Sequence, residues 1–476
     1  MERFSKEIEA FIKDFVGQLA NGTGAIFAGA GMSRGAGYVD WNELLRDIAQ
    51  ELGLDLQLEH DLIAVAQYHY NLKKGPAGLV RKIIEEFSHQ AEETESHRIL
   101  ARLPIPTWWT TNYDNLIEKA LERAYRIADV KFNVDQLSNT RPRRDAVVYK
   151  MHGDASDPKK AILYKSQYEQ YHKTHEGFIT ALRGDLVTKT FLFIGFSFND
   201  PNLDYVLSRL PAEPSREHYC FVRKVVAEKG ELEASVNYRT RREKLRNDDL
   251  HRYGITALEV DEYSDIPRIL TAIEECYRMK TVFISGSAHE FGDWTMQEAQ
   301  ALLHRLSAAL VRNGYRVITG FGWGVGSAVI NGALETIYRE PAKYSEDQLV
   351  MRPFPQFASN GEDLPIMWDK YRRRMISLAG TAIFLFGNKL TDGNVVKAGG
   401  VRAEYDIARE LGVVPLPLAV TGFVAADLAD DVLANVDGVY GQREWVAESI
   451  KELGAAGKDS DKLIGIILKF MERIGK

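Results

Sequence analysis

Four short segments hold residue types that could do chemistry on a nucleotide: Gly29-Ala30-Gly31-Met32-Ser33, Thr111-Asn112-Tyr113-Asp114, Met151-His152-Gly153-Asp154 and Gly195-Phe196-Ser197-Phe198-Asn199-Asp200. Glycines let the backbone come close to a pyrophosphate. Asn, Asp and Ser side chains can hold ribose hydroxyls, and a histidine can take up a proton near neutral pH. Taken singly, each has a plainer reading, since a glycine turn after a strand is usually only a turn and an Asn in a loop usually caps it. It is the four together, in this order, that point to a site.

Each segment directly follows an apolar run that reads as a buried strand. In an open parallel sheet the residues just past the carboxyl ends of the strands line the ligand crevice, so the four segments converge. The alternation of strands and helices predicts an α/β fold of two Rossmann-like, doubly wound parallel-sheet domains, over 1–279 and 280–476. In the first, an amphipathic helix over 8–19 precedes a strand at 25–28; that helix either forms an interface or packs on its own domain. Strands are expected before Asn112, at 145–150 before His152 and at 189–194 before Gly195. Pro104 and Pro106 bias the approach to the Asn112 strand toward extended backbone. The charged stretch 216–249 reads as a solvated helical insertion without a function. At 280 the pattern restarts, with a strand at 280–284, Gly286-Ser287, the turn Gly320-Phe321-Gly322-Trp323-Gly324-Val325-Gly326-Ser327, a helix over 328–338 and a strand at 381–386. These describe a second nucleotide-type crevice.

The four segments resemble, in order, those of the sirtuin family of NAD-consuming enzymes. The resemblance implies that Gly29, Ala30, Gly31 and Ser33 cradle NAD, that Asn112 and Asp114 face the nicotinamide ribose, and that His152 is the base. Gly195 and Ser197 match a later nucleotide contact, and Gly37-Tyr38-Val39-Asp40-Trp41 matches a G-I-P-D-F loop, which adds Asp40 to the NAD-binding set. Sirtuin deacylases also carry two C-x-x-C pairs that bind a structural zinc beside the acyl-lysine groove. This chain has two cysteines, Cys220 and Cys276, which cannot build a four-thiolate site, so no zinc is expected. His172 and His175 share a helical spacing without obvious partner ligands, so no metal is expected there either.

Without that groove, water is the expected acceptor: NAD+ and water would give ADP-ribose and nicotinamide, with NAD as substrate rather than cofactor. Nicotinamide leaves as a neutral amide from a pyridinium, so departure needs little acid and builds oxocarbenium character on the ribose carbon. Asn112 would orient the ribose and a water, and His152, with a reference pKa of about 6.5, would accept a proton from a ribose hydroxyl or that water.

The second unit resembles the SLOG superfamily of Rossmann-like nucleotide sensors. A zinc-free sirtuin-like unit joined to a SLOG-like one is similar, over nearly the whole chain, to the NAD-destroying effectors of the bacterial Thoeris anti-phage system. The resemblance implies a signal: a cyclic ADP-ribose isomer, made by a TIR-domain partner, that binds the second unit, switches on NAD hydrolysis and depletes the infected cell. Carried over by motif, the signal falls on Gly286, Ser287, Trp323, Phe354, Arg372, Lys389, Gly400 and Glu404. Arg372 and Lys389 can pair with phosphates, Glu404 can accept from ribose hydroxyls or an adenine amine, and Phe354 or Trp323 can stack on a base. On charge alone the run Arg372 to Arg374 reads as a solvated helix face, and which arginine faces a ligand stays open.

Composition sets the frame. The 476 residues are 45% hydrophobic and 27% charged with a net charge of −7, enough for two or three cored domains and against broad nucleic-acid binding. No signal peptide and no membrane-spanning run is expected, which together with two cysteines suits a cytoplasmic setting. A homo-oligomer, with a tetramer among its forms, is the expected vehicle for a two-state switch. The competing readings are a sirtuin-class protein deacylase or ADP-ribosyltransferase, a non-enzymatic nucleotide sensor, and a single-strand DNA binder that the acidic balance disfavours.

Overall fold

The computed structural model describes residues 4–39, 41–87, 91–210, 216–227, 229–355, 357, 363–441 and 444–475. The chain divides into two compact units, Met1–Glu274 and Glu275–Lys476. Each carries its own open parallel sheet flanked by helices, so the α/β architecture of two Rossmann-like domains is present.

The first unit has seven strands: β1 (Gly24–Ala28), β2 (Thr107–Thr110), β3 (Ala128–Lys131), β4 (Ala146–Lys150), β5 (Thr190–Ile194), β6 (His218–Arg223) and β7 (Ile255–Val260). Their order is β3-β4-β2-β1-β5-β6-β7 and every pairing is parallel. The chain moves to one side of β1 first and to the other side at β5, which puts the reversal of winding at β1. Both β1 and β5 are buried along their full length, which is why they read as unbroken apolar runs.

The opening helix, Lys6–Ala20, is capped by Ser5, whose Oγ accepts from the Ile8 N–H at 3.3 Å. It buries Ile8, Phe11, Ile12, Phe15, Val16 and Leu19, one face at helical spacing. Phe11 lies 4.7 Å from the Tyr219 ring and 5.8 Å from the Phe221 ring, so this face packs on β6 of its own domain. The stretch 216–249 corrects one expectation. Its first part is not solvated helix but β6, with His218, Tyr219, Cys220 and Phe221 buried, and only Glu233–Leu250 is the exposed, charged helix. Flanking charges at Arg216, Glu217, Arg223 and Lys224 hid a buried core of four residues.

The second unit has β8 (Thr281–Ser287), β9 (Arg316–Thr319), β10 (Leu349–Met351), β11 (Thr381–Phe386) and β14 (Val414–Pro417) in the parallel order β10-β9-β8-β11-β14. The winding reverses at β8. Between β11 and β14 the chain forms an antiparallel hairpin, β12 (Asn388–Thr391) with β13 (Asn394–Lys397). Every residue of β11 is buried, and the helix Gly326–Arg339 follows the glycine turn. Among the described residues no helix is long and apolar enough to cross a membrane.

Candidate active site

Strand register brings the four sequence segments to one edge. Ala28 of β1 pairs with Thr110 of β2 and Ile194 of β5, and Thr110 pairs in turn with Lys150 of β4. Those four residues end four adjacent strands at one level. The next residues are Gly29, Thr111, Met151 and Gly195, the starts of the four segments.

Two of the loops interlock through their glycines. The Gly29 N–H donates to the Ile194 carbonyl and the Gly31 N–H to the Gly195 carbonyl, both at 2.9 Å. A Cβ on Gly29 would stand 2.4 Å from the Gly195 carbonyl oxygen, and one on Gly195 would stand 2.1 Å from the Met32 nitrogen. Gly195 also sits at φ +64, the left-handed region that favours glycine. These glycines therefore serve the approach of one loop to the other, a demand that exists without any ligand. Ala30 opens the short helix Ala30–Arg34 and is exposed, as is Ser197. The Ser197 carbonyl accepts from Arg246 of the charged helix, whose guanidinium also donates to Asn199 Oδ1 at 3.2 Å.

The Asn112 segment docks onto the glycine loop. Asn112 Nδ2 donates to the Gly29 carbonyl and to Ser33 Oγ, each at 3.0 Å, and Ser33 Oγ donates to Asp114 Oδ2 at 2.8 Å. Asp114 Oδ1 accepts from the Leu116 N–H at 3.0 Å. Ser33, Asn112, Asp114 and His152 are all buried polar residues, positioned by hydrogen bonds rather than by solvent. His152 has a neighbour on each nitrogen: Asp200 Oδ2 is 3.2 Å from Nε2, within ion-pair distance but off the hydrogen-bond angle, and the Tyr168 hydroxyl is 3.5 Å from Nδ1. His172 and His175 point apart, the first stacked on Tyr205 and the second on Tyr171. Asp40 lies outside the described residues. Among those described, no group of three or more His, Cys, Asp or Glu could hold a metal ion.

In the second unit four of the eight expected residues come together: Phe354, Arg372, Gly400 and Glu404. Arg372 of the helix Leu364–Ile376 has Nε 3.6 Å from Glu404 Oε1, and its guanidinium lies over the Phe354 ring at 5.1 Å. Gly400 belongs beside them, since a Cβ there would stand 3.2 Å from Arg372 Nη2. Gly286 underlies the glycine turn: a Cβ on Gly322 would meet the Gly286 carbonyl oxygen at 1.9 Å. Ser287 Oγ donates to the Asn388 carbonyl at 3.1 Å. Trp323 and Lys389 stand exposed, Trp323 at 78%, and neither joins the Arg372 cluster. Arg372 is thus the inward arginine, while Arg373 pairs at the surface with Asp369 and Glu410 and Arg374 is exposed.

Comparison with known proteins agrees with the division of the chain into two units. Residues 106–242 match the SIR2-like domain, and residues 265–474 match the Sir2- and TIR-associating SLOG family. A protein of Bacillus cereus (strain MSX-D12) named NAD(+) hydrolase ThsA is 47% identical over 470 residues, 98% of each chain. Proteins of the same name from Cytobacillus dafuensis and Acinetobacter baumannii (strain 532279) are each 43% identical, the first over 97% of this chain and 96% of its own, the second over 92% of both. The chain belongs to the ThsA family.

Three residues of this ThsA-family chain, Lys150, Ser285 and Asn388, had no part in the sequence expectations, and a fourth, Asp200, stood in the fourth segment without a role. Lys150, fully buried at the end of β4, donates to the carbonyls of Tyr113 (3.2 Å) and Asp114 (2.5 Å), to Glu118 Oε1 (3.0 Å) and to Asp154. One ammonium so ties the Asn112 segment to the His152 segment. Burial opposes its charge, but Glu118, Asp154 and Asp114 outweigh that and its pKa is raised, while burial raises Glu118 itself. Asp200 faces His152 and is held below the usual carboxylate range: burial pushes it up, and His152 with the Leu203 and Asn202 N–H groups more than offsets this. In the ThsA second unit, Ser285 Oγ donates to Glu404 Oε2 at 2.5 Å. Burial raises the Glu404 pKa against the opposing pull of Ser285 and Arg372. Asn388 Oδ1 accepts from the His289 and Glu290 N–H groups at 2.9 and 3.1 Å and fixes the loop after β8. Lys150, Ser285 and Asn388 had no sequence signal beyond their place at strand ends; Asp200 stood before a proline, the pattern of a helix cap.

Proposed function

We propose that this ThsA-family chain hydrolyses NAD+ to ADP-ribose and nicotinamide in the crevice of the first unit, and that the crevice within 280–476 takes a cyclic ADP-ribose isomer that turns the reaction on. The observation that supports the first half is the arrival of Ser33, Asn112, Asp114 and His152, buried and hydrogen-bonded, at the level ends of adjacent strands. A crevice of that kind is where open α/β sheets bind nucleotides.

The chemistry follows from the leaving group. Nicotinamide departs neutral, so the protein's work is to hold the ribose, stabilise charge on its carbon and deliver water. Asn112, from the segment that Lys150 fixes, and Ser33, from the short helix after β1, would present polar groups to the ribose. Asp114 adds negative charge beside a developing cation, and His152 takes the proton from a ribose hydroxyl or the attacking water. For the second half, Arg372 is the phosphate partner, Phe354 the stacking surface and Glu404 the acceptor for hydroxyls; Lys389 and Trp323 would join once ligand is bound. The signal comes from a TIR-domain partner, the enzyme works in the cytoplasm as a homo-oligomer, and infection leads to loss of cellular NAD.

Chromatography of purified protein incubated with NAD, with and without cyclic ADP-ribose isomers, tests both halves. Nicotinamide release without an acceptor protein is expected, and it should rise with one of the isomers. Asn112→Ala and His152→Ala should abolish release. Because Asn112→Ala strands the Gly29 carbonyl and Ser33, it should also cost about 1–3 kcal/mol of stability without unfolding the chain. Full release by both variants would reject the site.

A further inference from the structure

Asp200 closes the fourth segment, and its two carboxylate oxygens do different things. Oδ1 accepts from the Asn202 N–H at 2.9 Å and the Leu203 N–H at 3.0 Å, capping the helix Pro201–Leu207. Oδ2 is left to face His152 Nε2 at 3.2 Å. Two backbone donors hold the carboxylate, so it cannot swing away from the ring. The His152 and Asp200 side chains are 5% and 11% exposed, which keeps water from taking the place of either. His152 Nε2 is a buried nitrogen with no hydrogen-bond partner, and a small ring rotation toward Asp200 would give it one.

We infer that Asp200 is a positioning residue for His152: it accepts the Nε2 proton, fixes the ring and leaves Nδ1 as the atom that takes up the proton in the reaction. The inference rests on the proposed role of His152 as base. The proton leaves a ribose hydroxyl or a water and is bound by Nδ1, and the resulting imidazolium faces a carboxylate that offsets its charge. Nothing else is transferred.

The other groups around the ring leave this role to Asp200. From the helix Lys165–Thr174, Tyr168 lies with its ring 5.2 Å from the imidazole and Tyr171 at 6.5 Å. His175 follows that helix and acts on His152 as a potential like charge. Tyr113, from the Asn112 segment, interacts with Asp200. Burial pushes all three tyrosines above their ordinary pKa, so they are neutral near pH 7. Of these neighbours only Asp200 brings negative charge to His152.

Asp200→Asn and Asp200→Ser are the informative variants, because Asn and Ser cap helices as Asp does while the carboxylate that faces His152 is lost. In the full-length chain, the His152 imidazole is followed by NMR titration with 13C-labelled histidine, assigned with His152→Gln. In parallel, kcat and KM for nicotinamide release are measured across pH 5 to 9. Both Asp200 variants should lower the pH at which His152 titrates and move the acid limb of kcat down with it. They should reduce kcat by roughly 10² to 10⁴ while KM stays within about threefold, and unfold at the wild-type temperature. An unchanged His152 titration, or a kcat loss confined to Asp200→Ala, where the cap is lost too, would overturn the inference. Wild-type protein that releases no nicotinamide under any condition would instead reject the proposed function, and the titration would still report whether Asp200 and His152 are coupled.

Discussion

Lys150 shows what one buried charge does when it is fully committed. Its ammonium meets two carboxylates and two carbonyls with no exposure to water, so removing it strands Glu118 and Asp154 in the interior. Breaking such a set from one side costs about 3–5 kcal/mol, far more than a surface ion pair. Lys150→Met should lower the unfolding free energy obtained from urea titration by that order and release the Asn112 and His152 segments from each other; a variant as stable as wild type would refute it. Two buried histidines give a pH signature. Burial pushes both His97 and His218 down to about 4, whereas an unfolded chain binds those protons below about 6.5. Their contribution to stability is complete above pH 6.5 and is lost as pH falls toward 4, at up to about 1.4 kcal/mol per pH unit for each. His218→Gln should therefore lose less stability than wild type between pH 7 and pH 5 in urea titrations. Asn112 and His152 were legible in the sequence because short motifs carried them. Lys150 was not: a lysine at a strand end reads as solvated until the fold supplies its carboxylates.

The strands were readable wherever both sheet faces are covered. Burial on two sides demands an unbroken apolar run, which β1, β5 and β11 display. β6 was missed because only its first four residues are buried while charged residues flank them on both sides. The glycine turns were readable as turns, but their partner was not. Sequence alone suggests an open cradle for phosphate, whereas the structure has Gly29, Gly31 and Gly195 filling one another's space. Gly195→Ala should then fail twice, through a left-handed backbone and a backbone nitrogen 2.1 Å from the new methyl carbon. It should lose more than about 1 kcal/mol and most nicotinamide release. Gly184→Ala, in the helix Glu176–Thr188 with open space around it, is the control and should gain about 0.5–1 kcal/mol.

Across the whole molecule, two sheets of like design carry two different crevices, and the proposed switch needs energy to pass from one to the other. Moving an enzyme from about 1% to 99% active requires roughly 10⁴-fold tighter binding to the active state, about 5.5 kcal/mol. Arg372→Ala and Lys389→Ala should each flatten the response, so that nicotinamide release with and without the cyclic nucleotide becomes equal. A normal response in both would place the switch elsewhere. The inward turn of Arg372 could not be read from a run of three arginines, because only the packing of its helix against Glu404 distinguishes them. That contact has a biological corollary. In the proposed switch a nucleotide must win the Arg372 guanidinium from Glu404 and Phe354, so abundant household nucleotides with an ill-fitting shape are turned away.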